Sequence, residues 1–401
     1  MRMEDVEQFD RRIDRTGTNS LKYDFKEENG MPDDVIPMWV ADMDFRVPVP
    51  VIEAVKAAAE HGIFGYSETG AGYFEALRRW FSAHYGWEVR PDWLIKTPGV
   101  VYALAASVRA FTRPGDGVLI QQPVYYPFAQ VVEDNGRRLC NCPLLYENGR
   151  YRMDFAALEE TIAREKITLT LLCNPHNPVG RVWTDEELLT FGNICLRHGV
   201  RIVSDEIHAD FTFDGRRHRP IASLSPALAE QTVTCTAPSK TFNLAGLQIS
   251  NIWIPGDEMR QAFRREMAAS GIELLNTLGL VAAQAAYEKG ETWLSEVKAY
   301  ITRNRDLFRD YLQTYLPHAR LVEPEGTYLL WVDFRAYGLS HDDLTCRIVD
   351  RARLWLDDGS IFGPAGDGFQ RFNIACPRSV LQEALDRLGA AFRELETACT
   401  A

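Results

Sequence analysis

Apolar stretches and amphipathic stretches alternate along most of the chain. Continuous apolar segments such as VLIQQP (118–123), ITLTLLCNP (167–175) and VRIVSDEI (200–207) predict buried strands. Apolar residues at helical spacing in VPVIEAVKAAAEHGI (49–63) predict a helix that ends near Gly62. The segment TDEELLTFGNICLRHG predicts another helix, in which Thr184 is the N-cap and Glu187 completes a capping box.

The order of these elements predicts an α/β fold. Continuous Val/Ile/Leu strands that alternate with helices are typical of a mostly parallel sheet covered on both faces. We assign this large domain to residues 51–285. The pattern changes afterwards, where TYLLWVDF and FQRFNIACP predict strands of a smaller α+β domain over residues 286–401. Residues 1–50 are irregular and rich in turns, and we expect an arm that joins the small domain and covers the active site.

Charge and composition exclude several classes of function. The 401 residues carry a net charge of −12 and no basic tract, so nucleic-acid binding is not expected. No apolar run reaches the ~18 residues of a membrane span, and the first residues lack the apolar segment of a secretory signal. The eight cysteines are scattered without zinc-site spacing, so no metal site is expected. Cys173, Cys195 and Cys235 lie in apolar stretches as buried thiols, which favours the reducing cytoplasm.

Candidate chemistry lies just past the predicted strands. Ligands of open α/β sheets bind beyond the carboxyl ends of the strands. The first such position is the turn at Gly99, where the N–H groups of Val100 and Val101 begin a helix and suit an anion. On its own, this turn is better explained as a plain strand-to-helix connection. No dinucleotide-binding or P-loop glycine motif is present.

Three further strand ends carry an amide, a carboxylate and an amine. Asn174 to Gly180 contains two Asn-Pro pairs, Asp205 ends a predicted strand, and Lys240 follows another. A buried carboxylate needs a cation or donor, and a desolvated lysine has a lowered pKa and attacks carbonyls. Taken singly, these are an ordinary loop, a capping or solvated aspartate and a surface lysine. Together with the anion site, they match the groups of pyridoxal phosphate, which has a phosphate, a phenolic oxygen, a ring nitrogen and an aldehyde.

The order of motifs resembles a known family across nearly the whole chain. The chain is similar to fold-type I pyridoxal-phosphate enzymes of the aspartate aminotransferase superfamily, and more closely to the MalY/PatB-type cystathionine β-lyases (C–S lyases). The resemblance implies a seven-stranded-type, mostly parallel sheet between helices, with a smaller domain. The matching segments are IPMWVADMDFRVPVPV, FGYSE, QQPVYYPF, LLCNPHNPVGRVWT, SDEIHADF, APSKTFNLAGLQ, EPEGTYLLWVDFR and QRFNIACP.

The resemblance also implies roles for the residues around the cofactor ring. Lys240 would hold the aldehyde as a covalent imine and act as the catalytic base. Asp205 would keep the pyridine nitrogen protonated, which makes the ring an electron sink. Asn177 would donate a hydrogen bond to the phenolic O3′, and His208 would also reach that oxygen. Tyr125 would stack on the ring face.

The phosphate and the substrate would be held by further residues. Val100, Val101 and Ser239 would bind the phosphate together with Tyr66 of a second subunit, which implies a homodimer with shared active sites. Many superfamily members have an arginine eight residues after the lysine, whereas this chain has Gln248. The phosphate would therefore rely on the helix end and neutral donors, as in the lyase group.

On the substrate side, Arg371 would bind the α-carboxylate of the amino acid, since its planar guanidinium suits a bidentate contact. Val40 and Ala41 in the arm would line the substrate site.

The expected function is α,β-elimination from cystathionine or other S-substituted cysteines, which yields a thiol, pyruvate and ammonia. The alternative is an aminotransferase that needs a keto-acid acceptor, because the same residues serve both reactions. A third hypothesis, a regulatory protein that keeps the fold and binds a transcription factor, is disfavoured by the intact Lys240, Asp205 and Arg371.

Overall fold

The computed structural model of the protein describes residues 8–399. The predicted arm and small domain extend to residues 1–7 and 400–401, which lie outside the described part. The strands are β1 (Ile36–Pro37), β2 (Leu94–Thr97), β3 (Gly117–Ile120), β4 (Arg138–Asn141), β5 (Leu145–Glu147), β6 (Arg150–Arg152), β7 (Leu169–Cys173), β8 (Arg201–Asp205), β9 (Thr232–Thr236), β10 (Ser250–Trp253), β11 (Arg320–Leu321), β12 (Leu329–Asp333), β13 (Leu354–Trp355), β14 (Asp357–Asp358) and β15 (Phe369–Asn373).

Helices precede, connect and follow these strands. They are α1 (Val49–His61), α2 (Ala71–Tyr85), α3 (Val100–Phe111), α4 (Pro127–Glu133), α5 (Phe155–Glu165), α6 (Asp185–Arg197), α7 (Pro226–Glu230), α8 (Pro238–Thr241), α9 (Asp257–Ala269), α10 (Thr277–Lys289), α11 (Glu291–Tyr315), α12 (His341–Cys346) and α13 (Arg378–Cys399). Within residues 8–399, no helix has the length and apolar character needed to cross a membrane.

The central sheet has seven strands in the order β2-β10-β9-β8-β7-β3-β4. The five strands from β9 to β4 are parallel, and β10 is antiparallel to both β9 and β2. These two reversals give β2 the same direction as the parallel five. The predicted mostly parallel sheet is confirmed, and the carboxyl ends of these six strands lie along one edge.

Both faces of this sheet are buried, as its continuous apolar strands predicted. Successive side chains of a strand point to opposite faces. Val118 and Ile120 pack in the cluster that contains α3 and α9, whereas Leu119 packs with α5 and α6 on the other face. Burial on both faces explains why β7 and β9 show no alternation of apolar and exposed positions.

A second sheet is antiparallel, with strand order β11-β12-β15-β14. The chain before α1 is attached to it. In this region β1 pairs with β13 in a parallel register, and the backbone N–H of Asn373 donates to the carbonyl of Met38 at 2.8 Å. These contacts hold residues 39–41 beside β15, the strand that carries Arg371.

Local signals in the sequence place several helix ends. The capping box of Thr184 and Glu187 is present at the start of α6, and α1 ends at Gly62, which has a φ of 74°. The segment TVTCTAPSK divides into β9 and α8. Pro238 cannot donate to a strand ladder and is favoured in the first turn of a helix, so the strand ends at Thr236.

The predicted division into domains is not settled by these elements. The boundary between residues 285 and 286 falls within α10. The division into residues 1–50, 51–285 and 286–401 stays a prediction.

Candidate active site

The carboxyl edge of the central sheet brings the predicted strand-end residues together. Asp205 is the last residue of β8, Asn177 lies in the loop after β7, and Lys240 lies in α8 directly after β9. The three strands are neighbours in the sheet. Lys240 and Asp205 are close enough for each charge to affect the pKa of the other group.

Lys240 is held as a partly desolvated amine. Its Nζ is half-buried and donates a hydrogen bond to the carbonyl oxygen of Ala41 at 2.6 Å. Burial lowers its pKa to about 8, helped by the charge of Arg371 and opposed by Asp42 and Asp205. The neutral, nucleophilic form of this amine is therefore far more populated near neutral pH than that of an ordinary lysine.

Asp205 is buried and forms no ion pair with the residues that the structure describes. It lies opposite Cys173 on β7 and Cys235 on β9, two buried thiols that supply no charge. Its Oδ1 accepts from the amide of Ile207 at 3.1 Å. Burial raises its pKa to about 7, because desolvation outweighs that hydrogen bond and the charge of Lys240. The carboxylate can therefore accept a further hydrogen bond from a charged donor, such as a protonated ring nitrogen.

His208 and Asn177 present neutral polar groups at the same edge. Burial lowers the pKa of His208 well below its ordinary value, so the imidazole is neutral. Its Nδ1 is buried and has no partner among the described residues. The Oδ1 of Asn177 accepts from Arg371 at 2.9 Å, which leaves the amide N–H₂ as the part that donates. Both side chains suit a phenolic oxygen.

The start of α3 supplies backbone donors for an anion. Val100 and Val101 lie in its first turn, where N–H groups have no helix carbonyl to bond. Gly99 before them has a φ of 148°, and open space lies where a side chain would begin. Ser239 lies in α8, two strands away across the sheet edge. Gln248, which replaces the expected arginine, is exposed in a turn with a φ of 51°.

Tyr66 is not brought to this site within one chain. Its side chain is 97% exposed, beside the exposed Ile63 and Phe64. Tyr125, in contrast, lies at the site, because its backbone amide donates to the carbonyl of Asn177 at 3.0 Å.

Arg371 is buried on β15, an inner strand of the second sheet, and its side chain reaches the loop after β7 of the first. Its Nη1 contacts Asn177, and its Nη2 donates to the carbonyl of Trp39 at 3.0 Å. The neighbouring arm residues are also fixed. The carbonyl of Val40 accepts from Asn373 at 2.6 Å, and that of Ala41 accepts from Tyr328 at 3.0 Å as well as from Lys240. Among the predicted substrate-side residues, Ala41 therefore contacts Lys240 directly, and Arg371 is near enough to lower the pKa of Lys240.

Two residues at this site were missed by the sequence analysis. Asp357 forms an ion pair with Arg371, and the buried Tyr328 packs edge-on to His208 with ring centroids 5.9 Å apart. Tyr328 lies in the predicted strand segment TYLLWVDF. The apolar pattern of that segment does not distinguish a residue of the active site from a residue of the core. Asp357 is identified only through the pairing of β14 with β15.

These groups fit pyridoxal phosphate. An amine of lowered pKa, an acceptor for a ring N–H, neutral donors for a phenolic oxygen and free helix N–H groups for a phosphate meet at one sheet edge. The arrangement of the two sheets, with the lysine after β9, is that of the fold-type I pyridoxal-phosphate enzymes.

Comparisons with known proteins agree with this class. Residues 33–388 match the family described as aminotransferase class I and II. The chain is 46% identical to cystathionine beta-lyase PatB of Bacillus subtilis (strain 168), over 96% of this chain and 99% of that protein. The structure of cystalysin from Treponema denticola, which contains a pyridoxal 5'-phosphate cofactor, superimposes with a TM-score of 0.93 at 38% identity, over 96% of this chain and 99% of that one.

A third relative is the PLP-bound C-S lyase from Staphylococcus hominis in complex with the inhibitor L-cycloserine. It superimposes with a TM-score of 0.91 at 34% identity, over 96% of this chain and 99% of that one. The chain belongs to the class I and II aminotransferase family.

Proposed function

We propose that the protein is a pyridoxal-phosphate-dependent C–S β-lyase that cleaves cystathionine or other S-substituted cysteines to a thiol, pyruvate and ammonia. The observation that carries the proposal is the convergence of Lys240, Asp205 and Arg371 around one sheet edge. The choice of elimination over transamination is supported by the relatives, whose names describe cystathionine β-lyase and C–S lyase activities.

Each of these residues has a distinct task toward cofactor and substrate. Lys240 would hold the aldehyde carbon of the cofactor. Asp205 would hold a proton at the ring nitrogen, and Asn177 and His208 would donate to the phenolic oxygen. Tyr125 would cover the ring, while Val100, Val101 and Ser239 would bind the phosphate. When bound, the cofactor supplies a conjugated cation that stabilises negative charge at the substrate's α-carbon.

Proton transfer is assigned to the freed amine of Lys240. The neutral Nζ accepts the proton from the substrate's α-carbon, and the electron pair left there expels the thiolate from the β-carbon. The ammonium of Lys240 then protonates the departing sulfur, and the released aminoacrylate is hydrolysed by water to pyruvate and ammonia. Arg371 binds the α-carboxylate, and Val40 and Ala41 line the substrate site on the arm side.

The experiment that tests the proposal measures pyruvate from purified protein and cystathionine without any keto acid. Pyruvate released in proportion to thiol supports the lyase, and a strict need for a keto-acid acceptor indicates an aminotransferase. Borohydride reduction should remove the visible absorption and leave the cofactor attached irreversibly to the peptide containing Lys240. Lys240→Ala should abolish both signals, and Lys56→Ala, at an exposed lysine, should leave both unchanged.

The active sites are proposed to be shared in a homodimer. Tyr66, with exposed Ile63 and Phe64 beside it, supports this proposal because an apolar cluster on a surface favours a protein contact. Tyr66 would reach the phosphate bound by the other subunit.

The seven described cysteines are free, which supports a reducing cytoplasmic location. We retain the domain division at residues 1–50, 51–285 and 286–401 as part of this proposal.

A further inference from the structure

Arg371 already binds a carboxylate of this chain. Its Nη2 is ion-paired with Oδ2 of Asp357. The two residues are directly opposite in the register of β14 and β15. Both are buried, with 2% of Arg371 and 7% of Asp357 exposed. The guanidinium is therefore occupied at the place where the proposed function needs it for substrate.

The hydrogens of Arg371 show what a second carboxylate would require. A carboxylate binds a guanidinium through two parallel bonds, either from Nε and Nη2 or from Nη1 and Nη2. Both modes use a hydrogen of Nη2, which has two hydrogens. One is donated to the carbonyl of Trp39 and the other to Asp357. Nε is buried and has no partner among residues 8–399. A bidentate contact to substrate therefore requires that Trp39 or Asp357 release Nη2.

Asp357 is the partner that can leave. The Trp39 contact is made by a backbone carbonyl, in a segment held by the pairing of β1 with β13 and by stacking of its ring on Trp355 at 4.4 Å. Its release would require the arm to move. Release of Asp357 requires only rotation of one side chain. Two carboxylates on one guanidinium also repel each other, so substrate and Asp357 exclude one another.

We propose that Asp357 is an internal competitor for Arg371, which the substrate's α-carboxylate displaces, and that it sets the affinity of the site for amino acids with a free carboxylate. The inference rests on the proposed function, in which Arg371 binds that carboxylate. Asp357 is thus a specificity-determining residue rather than a catalytic one.

The charges around Asp357 give the competition a pH dependence. Burial raises the pKa of Asp357, Asp358 raises it further, and Arg371 opposes both. The other titratable groups that face it are the phenols of Tyr125 and Tyr126, which are neutral at physiological pH. Protonated Asp357 is a weaker competitor. Affinity for the substrate carboxylate should therefore be greatest at acidic pH and should fall as Asp357 ionises.

The test compares two ligands on the loaded enzyme by calorimetric titration. L-Alanine has no leaving group at its β-carbon, and L-alaninamide is the same molecule without the carboxylate. Asp357→Asn should bind L-alanine about tenfold more tightly than the wild type, with L-alaninamide unchanged. The matched control is Asp358→Asn, measured at a pH at which Asp357 is ionised, because Asp358 bonds Gln370 instead of Arg371. At that pH its effect on the pKa of Asp357 no longer changes the competition, so neither affinity should change.

Weaker binding of L-alanine by Asp357→Asn, or an equal shift for both ligands, would overturn the proposal and make Asp357 a support for Arg371. If the variant does not fold, the wild type alone decides. Its preference for L-alanine over L-alaninamide, corrected for ionisation of each ligand's amine, should decline as pH rises, and a flat or rising preference refutes the competition. L-Alanine binding needs no elimination, so this result is separate from a failure to form pyruvate.

Discussion

The hydroxyl of Thr241 donates a hydrogen bond of 2.6 Å to the buried carboxylate of Asp210. Thr241 directly follows Lys240 in α8, a helix of only four residues. The other oxygen of Asp210 accepts from Tyr85 at 2.5 Å and from Trp80 at 3.2 Å, both on α2. Asp210 therefore ties the short helix that carries the reactive lysine to the long helix behind it.

Removal of this tie should destabilise the protein. Thr241→Val keeps the shape of the side chain but takes a donor from a buried carboxylate, so the free energy of unfolding should fall by about 1–3 kcal/mol. Urea unfolding measures the loss. Thr190→Val is the matched control, because Thr190 is exposed and donates to the carbonyl of Glu186 four residues earlier. Equal losses for the two variants would show that the Thr241–Asp210 hydrogen bond contributes no more to the free energy of unfolding than an exposed threonine hydrogen bond does.

Lys240 should weaken the cofactor-free protein at neutral pH. Its folded pKa of about 8 lies below the ordinary 10.5, so the unfolded chain binds the proton more tightly. Lys240→Met should therefore raise the free energy of unfolding at neutral pH by about 1–3 kcal/mol. The gain should shrink between pH 8 and 10.5, where the folded amine has lost its proton. Urea unfolding across this range measures it.

The control for this experiment is Lys56→Met at an exposed lysine, which should produce no gain of this kind. A constant difference between wild type and Lys240→Met at every pH would contradict the assigned pKa.

Asp205 should have the opposite dependence on pH. Its pKa is raised from 3.8 to about 7 by burial, so the folded state binds the proton more tightly than the unfolded state. The stability that Asp205 contributes is complete below its unfolded pKa and is lost as pH rises through its folded pKa. In cofactor-free protein, Asp205→Asn should remove this part of the pH dependence of unfolding, whereas Asp134→Asn at an exposed site should not.

In loaded enzyme, Asp205→Asn should slow pyruvate formation by about a hundredfold or more, because an amide cannot hold the ring-nitrogen proton electrostatically. Pyruvate assays under saturating cofactor measure this. An unchanged rate would remove Asp205 from the proposed mechanism.

Shared sites predict complementation between two inactive variants. Lys240→Ala and Tyr66→Ala homodimers should each be impaired. In a mixed dimer, one site combines both substitutions, while the other has Lys240 from one chain and Tyr66 from its partner. Refolding an equal mixture should therefore restore about a quarter of wild-type activity, since half of the dimers are mixed and each has one intact site. No gain over the separate variants would place Tyr66 outside the neighbouring site.

The sequence predicted the position of a site residue where the direction of its strand decides that position. Parallel strands end at one edge, so Asp205 and Lys240 could be placed together from their strands alone. The capping box at Thr184 was equally readable, because it depends on residues three apart. The family resemblance, rather than periodicity, supplied Asn177, His208 and Arg371 as members of the same site.

Other contacts depend on pairings that no local pattern encodes. β14 has two residues, too few for a periodic signal, so the register that places Asp357 opposite Arg371 could not be inferred. The bond between Thr241 and Asp210 joins residues on different elements, 31 positions apart. Tyr66 could be named from a motif, but its 97% exposure in one chain places it in no site of that chain, so its role depends on the proposed second subunit.

The carbonyl of Ala41 accepts hydrogen bonds from both Lys240 and Tyr328, so the free amine of Lys240 helps to hold the arm in place. Once the amine is committed to a cofactor, Tyr328 and the Asn373 contacts to residues 40 and 42 must hold the segment. Cofactor binding thus removes one of the contacts that hold the arm. Limited proteolysis at this segment should therefore be faster with the cofactor bound than without it.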